Sequence, residues 1–249
     1  MIKNIFGRIW ATWGAIIFIL TLLIVIIPIW LTNYIREPRG TEMFRRISKA
    51  WMQVFLTLIG CRLIIRGREN FKKGQNYIVA SNHNSFMDVP LTTPFIPGPN
   101  KTIAKAELVK VPLFGIIYKR GSILVDRKSE RSRKESFSKM KAVLNAGMHM
   151  CIYPEGTRNR TNEPLKSFHD GAFKLALDTG KPIIPTLLFN TKKVLPGSSK
   201  PFYLWPAKLE MHFLPAVYVQ AGDTVASLKE KVFRIMYNFC EERTRQKKI

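Results

Sequence analysis

The chain has 249 residues, enough for one large domain with a substantial core, or for one domain plus an appendage. Hydrophobic residues make up 46%, which excludes a disordered chain, and the three cysteines, Cys61, Cys151 and Cys240, are odd in number and too scattered for a disulfide framework or a zinc site. The net charge of +23, from 40 Lys and Arg against 17 Asp and Glu, implies an acidic partner: nucleic acid, an anionic membrane surface or an acidic protein.

The first element runs from Ile9 to Ile35, about 27 residues without a charged side chain. Roughly 20 apolar residues suffice to cross a bilayer as a helix. Trp10, Trp13, Trp30 and Tyr34 flank its centre, as residues at two membrane interfaces would. The apolar part is too long for the core of a cleaved signal peptide, and no small-residue cleavage pattern follows it. A buried helix of a soluble domain is the alternative. Arg36, Arg39, Arg45, Arg46 and Lys49 come next, then Trp51 to Gly60, about ten residues and too short to span. That second run either lies in the interface as an amphipathic helix or turns back against the first. The basic residues after the first segment predict a main domain on the cytoplasmic side. Lys3 and Arg8 pull the other end the same way, so the segment is either a helix that crosses the bilayer or a hairpin that dips into it. Residues 1–60 are thus expected to form a membrane anchor segment.

From Cys61 the pattern changes to short apolar runs alternating with helix-like segments. Strands are predicted at Arg62–Ile65, Tyr77–Ala80, Ser122–Val125, His149–Tyr153, Ile183–Phe189 and Leu209–Phe213. Helices are predicted between Glu130 and Ala146, where Phe137, Met140, Val143 and Leu144 share a face before Gly147, and at Gly171–Thr179, closed by Gly180. A third begins at Thr224 and ends in a basic tail, Arg243, Arg245, Lys247 and Lys248. Alternating strands and helices predict a single α/β domain with a mixed sheet over residues 61–249.

The polar stretch Ser81-Asn82-His83-Asn84-Ser85-Phe86-Met87-Asp88 follows one of these strands. Residues five apart share neither a helix face nor a strand face, so His83 and Asp88 meet only if the chain turns between them. Asn84 and Ser85 are turn formers, and Asp88 opens a helix with Pro90 in its first turn. A carboxylate on one imidazole nitrogen fixes the tautomer and supports the imidazolium formed when the other nitrogen takes a proton. The competing reading is a surface turn whose polar residues only cap a helix.

Three further stretches end apolar strands, where α/β sites usually lie. They are Gly121-Ser122-Ile123-Leu124-Val125-Asp126-Arg127, Cys151-Ile152-Tyr153-Pro154-Glu155-Gly156-Thr157-Arg158 and Pro182-Ile183-Ile184-Pro185. Gly156 lets the backbone approach a ligand, Thr157 donates a hydrogen bond, and Arg158 presents a planar fork suited to phosphate. An ordinary turn with a Glu155–Arg158 surface pair is the alternative. Lys105 and Glu107 either pair with each other or face a ligand.

Taken together these stretches resemble the glycerolipid acyltransferase family that makes phosphatidic acid, the 1-acylglycerol-3-phosphate O-acyltransferases. The resemblance covers roughly Leu63 to Leu214. Asn82 through Asp88 is similar to the family's NHxxxxD block, Gly121 through Arg127 to its second motif, Glu155 through Arg158 to its third and Pro182 through Pro185 to its fourth, in the family's order. Ala104-Lys105-Ala106-Glu107-Leu108 also resembles the family. Two departures stand out: Asn159 where the family often has Ser, and Asp170 where a basic residue often precedes Gly-Ala-Phe.

The resemblance implies that His83 removes a proton from the acceptor's hydroxyl and that Asp88 orients His83. The acceptor is then lysophosphatidic acid, with acyl-CoA or acyl carrier protein as donor; glycerol 3-phosphate or another lysolipid is the alternative acceptor. Arg158, with Lys105 and Arg127, is expected to hold the acceptor's phosphate, and Glu155, Gly156 and Thr157 to line the substrate site. Backbone N–H groups around Gly156 are the expected donors to the oxyanion. Neither a metal nor a cofactor is expected. An anionic membrane accounts for part of the charge, and the aromatics are not interleaved with the basic residues as nucleic-acid binding would require.

Overall fold

The structure, a computed structural model, describes residues 2–197 and 202–246; Lys247 and Lys248 of the basic tail lie outside them. Its helices are α1 (Ile2–Leu31), α2 (Arg39–Leu58), α3 (Asp88–Phe95), α4 (Phe114–Gly121), α5 (Glu130–Asn145), α6 (Gly171–Thr179), α7 (Thr191–Val194) and α8 (Val225–Gln246). Its strands are β1 (Arg62–Arg66), β2 (Ile78–Ser81), β3 (Asn100–Lys105), β4 (Ser122–Val125), β5 (His149–Ile152), β6 (Ile183–Phe189) and β7 (Lys208–Phe213).

The strands form one seven-stranded sheet in the order β1-β7-β6-β2-β5-β3-β4. Only β6 and β7 run antiparallel; every other pair is parallel, so the sheet is mixed as expected. Strands β2 and β5 are buried at every residue, which explains why they read as unbroken apolar runs. Val79 belongs to a core shared with α1 and α2, while Ile78 and Ala80 belong to a core shared with α5, α6 and α8. That alternation is the two-residue period of a strand covered on both faces.

Strand β3 was not expected from the sequence. Asn100 and Thr102 break its apolar pattern, yet both are buried. Asn100 Nδ2 donates to Thr93 O and Thr102 Oγ1 to Cys151 O, so the bonds these side chains donate hold them in the core, while Asn100 Oδ1 finds no partner among the described residues.

The N-terminus is a helical hairpin, the second of the two expected arrangements. Helix α2 starts well before the apolar run, at Arg39, because Phe44, Ser48, Trp51, Met52, Phe55 and Leu56 form one buried face at helical spacing. It packs on α1, where Gly7, Ala11, Gly14, Leu22, Ile26 and Ile29 form the buried stripe. Trp10 and Trp13 do not act as free interface residues. Their indole N–H groups donate to Ile59 O and Leu58 O, 3.0 Å each, and cap the end of α2. Trp51 Nε1 donates to Thr21 Oγ1 at 2.9 Å.

The hairpin's turn is tied to the domain. Buried Arg120 donates to Glu37 Oε1 at 2.6 Å and to Thr32 Oγ1 at 3.0 Å, and Lys101 Nζ lies 3.1 Å from the same Glu37 oxygen. Burial pushes the Glu37 carboxyl up, but these donors outweigh it and hold the group at about 2.

Candidate functional site

Strand β2 ends at Ser81, and Asn82 extends it with a side chain. Asn82 Nδ2 donates to Leu188 O at 3.1 Å and Asn82 Oδ1 accepts from Leu188 N at 2.7 Å, one more rung against β6. The chain then turns. Asp88 Oδ2 accepts from Asn84 N at 2.5 Å and Ser85 N at 2.7 Å, and lies 2.8 Å from His83 Nδ1. Asp88 is fully buried as the first residue of α3. A carboxylate only accepts, so Nδ1 carries the hydrogen and Nε2 keeps the free lone pair.

The loop after β5 clamps the other side of His83. Glu155 Oε1 accepts from His83 N at 2.7 Å and Glu155 Oε2 from Lys166 N at 3.1 Å. Asn159 N donates to His83 O at 2.6 Å. Both backbone groups of His83 are therefore held by one loop. The Tyr153 ring lies against the imidazole, centroids 4.5 Å apart, and its hydroxyl meets Thr92 Oγ1. Burial raises the Tyr153 phenol well above its usual range.

This geometry corrects the expectation for Glu155. It neither pairs with Arg158 nor lines the substrate cavity; its carboxylate is buried on two backbone amides, and that burial raises its pKa. The oxyanion expectation also needs revision. Gly156 N donates to Tyr153 O at 3.0 Å and Thr157 N to Glu155 O at 2.7 Å, so both amides are taken up within the turn. Gly156 itself has φ of +69°, and a Cβ there would stand 2.7 Å from the His169 ring.

His83, Lys105, Arg127, Gly156, Thr157 and Arg158 all line one cavity of about 1370 Å³. Its rim is polar and cationic. Arg127 Nη1 donates to Gly156 O, Lys166 Nζ donates to Thr157 Oγ1 at 2.7 Å, and exposed Lys105 and Arg160 stand nearby on the lining. Lys105 and Glu107 both face the cavity, and among the described residues no ion pair joins them. The Arg158 guanidinium lies over the Phe86 ring, 3.5 Å from its centroid. Burial, then the neighbouring Arg160, lowers the Arg158 pKa. The interior is apolar, walled by Phe18 of α1, by Phe44, Trp51, Met52 and Phe55 of α2, and by Phe114 of α4.

Sequence reasoning did not reach Tyr153, Arg160, Lys166 or the α1–α2 wall. Arg160 and Lys166 have no spacing signal, because only the folded loop brings them beside Thr157 and Arg158. Pro182 to Pro185 lies away from the cavity, at the start of β6 and the residue before it, where Pro182 O accepts from Ile78 N and Pro185 O from Leu214 N. It acts as a strand with ordinary partners.

The chain is 35% identical over 146 residues to the 1-acyl-sn-glycerol-3-phosphate acyltransferase of Borreliella burgdorferi, covering 58% of each. It is 30% identical over 189 residues to the corresponding alpha enzyme of Mus musculus, covering 74% of this chain and 66% of that one. The chain thus spans 58% to 66% of the length of these curated relatives. Its fold matches the crystal structure of the 1-acyl-sn-glycerophosphate acyltransferase PlsC from Thermotoga maritima, with a TM-score of 0.82, 22% identity and coverage of 97% of this chain and 98% of that one. A family model described as Acyltransferase matches residues 62–188, from the first strand through the His83 turn and the Glu155–Arg158 loop, and with half of its length so matched the chain belongs to the acyltransferase family.

Proposed function

We propose that the protein transfers an acyl chain from an acyl thioester to the free sn-2 hydroxyl of lysophosphatidic acid, giving phosphatidic acid at a membrane. The observation that carries this reading is His83, held by Asp88, on the wall of a cavity with a cationic rim and an apolar interior. The names of the relatives from Borreliella burgdorferi and Mus musculus support it.

His83 Nε2 takes the proton of the acceptor hydroxyl. The alkoxide oxygen attacks the thioester carbonyl, and the tetrahedral intermediate collapses with loss of the thiolate. The imidazolium returns its proton to that thiolate, so no net charge accumulates. Asp88 keeps the tautomer and steadies the imidazolium, a form of general base help of about 10²–10⁴-fold. Arg158 binds the acceptor's phosphate, with Lys105 and Arg127 on the same rim. The apolar interior takes acyl chain. The donor is acyl-CoA or acyl carrier protein.

Residues 1–60 anchor the protein and residues 61–249 carry the chemistry, although the hairpin also walls the cavity. Helix α1 exposes Ile2, Ile5, Ile9, Ile16, Leu20, Ile24 and Ile27 along one stripe. At its start Gly7 O accepts from Leu204 N, and beyond its end Thr32 is tied to Arg120. A helix fastened to one domain at both ends lies in a leaflet with its bare stripe in lipid. The basic residues Arg36, Arg39 and Arg46 then meet anionic headgroups on the cytoplasmic side.

The test is acyl transfer by purified protein in detergent, with lysophosphatidic acid and either donor. We expect phosphatidic acid from the native chain and a loss of 10²-fold or more in His83→Ala. Full turnover by His83→Ala would remove the proposed base. Turnover confined to acceptors without a phosphomonoester would remove the role given to Arg158.

A further inference from the structure

Phe86 is 61% exposed, an unusual setting for a large apolar ring in so tightly bonded a turn. Its neighbours are fixed. Ser85 N donates to Asp88 Oδ2 at 2.7 Å, Ser85 Oγ donates to Leu195 O at 2.7 Å, and Met87 N donates to Ser85 Oγ at 3.2 Å. The bonds that hold Asp88 for His83 thus also hold the backbone under Phe86.

The ring carries the Arg158 guanidinium on its face at 3.5 Å. All five guanidinium N–H groups lie in its plane and point outward from its edge. A ring on the face therefore blocks none of these donors. Among the described residues no ion pair joins Arg158 to a carboxylate; Arg160 repels it, and Asp88, already bonded to His83 and two backbone amides, attracts it only through space. A long cationic side chain with a like-charged neighbour and no bonded carboxylate swings into water unless something holds it. Phe86 supplies that hold, by cation–π attraction and by contact with the arginine's apolar stem.

We propose that Phe86 is a positioning residue, which fixes the Arg158 guanidinium relative to His83 and so sets where the acceptor's phosphomonoester sits against the base. This rests on the reading that Arg158 binds the acceptor's phosphate. Phe86 touches neither reacting atom; it acts through Arg158.

The experiment compares Phe86→Ala, Phe86→Leu, Phe86→Trp and Arg158→Ala in the full chain in detergent, with lysophosphatidic acid as acceptor and thermal unfolding measured alongside. A cation–π hold of this kind predicts a rise of roughly 2- to 30-fold in the acceptor's KM for Phe86→Ala, with a smaller change in kcat. Phe86→Trp restores the native KM and Phe86→Leu does not. Adding Phe86→Ala to Arg158→Ala produces no further rise. An unchanged KM in Phe86→Ala, or rescue by Leu as full as by Trp, overturns the proposal. If Arg158→Ala itself leaves KM unchanged, the phosphate reading fails first and the role of Phe86 fails with it. A rise for Arg158→Ala without one for Phe86→Ala sinks the positioning role alone. Phe86 is exposed, so the Leu and Trp variants retain the fold and all arms can be read.

Discussion

Glu155→Gln is the most informative single change, because the structure and the sequence pattern give it different outcomes. The native carboxylate accepts from His83 N at 2.7 Å and from Lys166 N at 3.1 Å. Gln keeps an oxygen for one of these amides and turns an NH₂ toward the other, donor against donor. One bond to a charged acceptor is lost, about 1.5–3 kcal/mol, and an amide is left unsatisfied, about 1–3 kcal/mol. The two terms overlap, so we expect stability to fall by about 2–4 kcal/mol. The oxygen on the His83 side no longer fixes the base. A displacement of about 1 Å at a catalytic group costs on the order of 10²-fold, so kcat falls by about that much while the acceptor's KM holds. Acidification tests the same clamp. Burial raises the Glu155 pKa, so protonation of the native side chain begins above the ordinary 4.5 and mimics the Gln variant. The native enzyme should lose kcat as pH falls through that raised value, and Glu155→Gln should lose less on acidification, keeping only the loss that comes from protonating the base itself. Release of thiol from acyl-CoA gives the rates, and thermal unfolding gives the stability. A tenfold rise in the acceptor's KM with kcat intact would refute the clamp and return Glu155 to the substrate.

Two further outcomes follow from the cavity and the core. Ala15 lines the apolar interior, so Ala15→Phe should shift donor preference toward shorter chains; each methylene that no longer fits forfeits about 0.8 kcal/mol, roughly fourfold, and an unchanged profile across acyl-CoA lengths would remove α1 from the chain-binding wall. His149 is buried, accepts from Tyr77 N at 3.0 Å, and burial depresses its pKa from 6.5 to about 4. The unfolded chain takes up that proton first, so stability is intact above pH 6.5 and falls by up to about 3 kcal/mol as pH drops toward 4. Denaturant unfolding across that window should show the loss in the native chain and a shallower slope in His149→Gln; equal slopes would exclude His149 as the cause.

What the sequence revealed follows from what each residue needs to be recognised. Strands β4 and β6 have the bounds read from the sequence, because apolar runs bounded by glycine, proline or charge leave little choice. The His83–Asp88 turn was legible because a spacing of five forces the chain to reverse. Strand β3 was hidden by buried Asn100 and Thr102, whose side chains bond to Thr93 of α3 and to Cys151 of β5, partners that no alternation pattern within the strand reveals. Helix α2 was half hidden, since its upstream turns alternate buried Phe44 and Ser48 with Arg45, Arg46 and Lys49, and only a partner helix gives that stripe its meaning. Glu155 was assigned to the ligand because no local rule tells a carboxylate that faces a cavity from one that faces the backbone of a neighbouring strand's loop. That depends on β2 and β5 being adjacent, which is a property of the sheet. The Gly156 and Thr157 amides failed the oxyanion role for a related reason: a glycine turn often closes on itself and uses up its own donors.

The parts of the site are joined by short connections. His83, the proposed base, stands on the loop after β2 and Arg158, the proposed phosphate ligand, on the loop after β5, and these strands are paired neighbours. Glu155 and Asn159 tie the second loop to the backbone of His83, and Phe86 reaches back from the first loop to Arg158. The separation between base and arginine is thus set mainly by backbone bonds, with one flexible side chain left and that one stacked. The apolar wall is different in kind. It comes from a hairpin whose outer stripe is bare and whose inner face supplies Trp51, Met52 and Phe55 to both the core and the cavity. On the function proposed above, membrane seating and chain binding therefore share one element. On that proposal, a lipid acceptor entering along the bare stripe of α1 would meet the apolar interior with its chain, and the cationic rim with its headgroup, without leaving the interface.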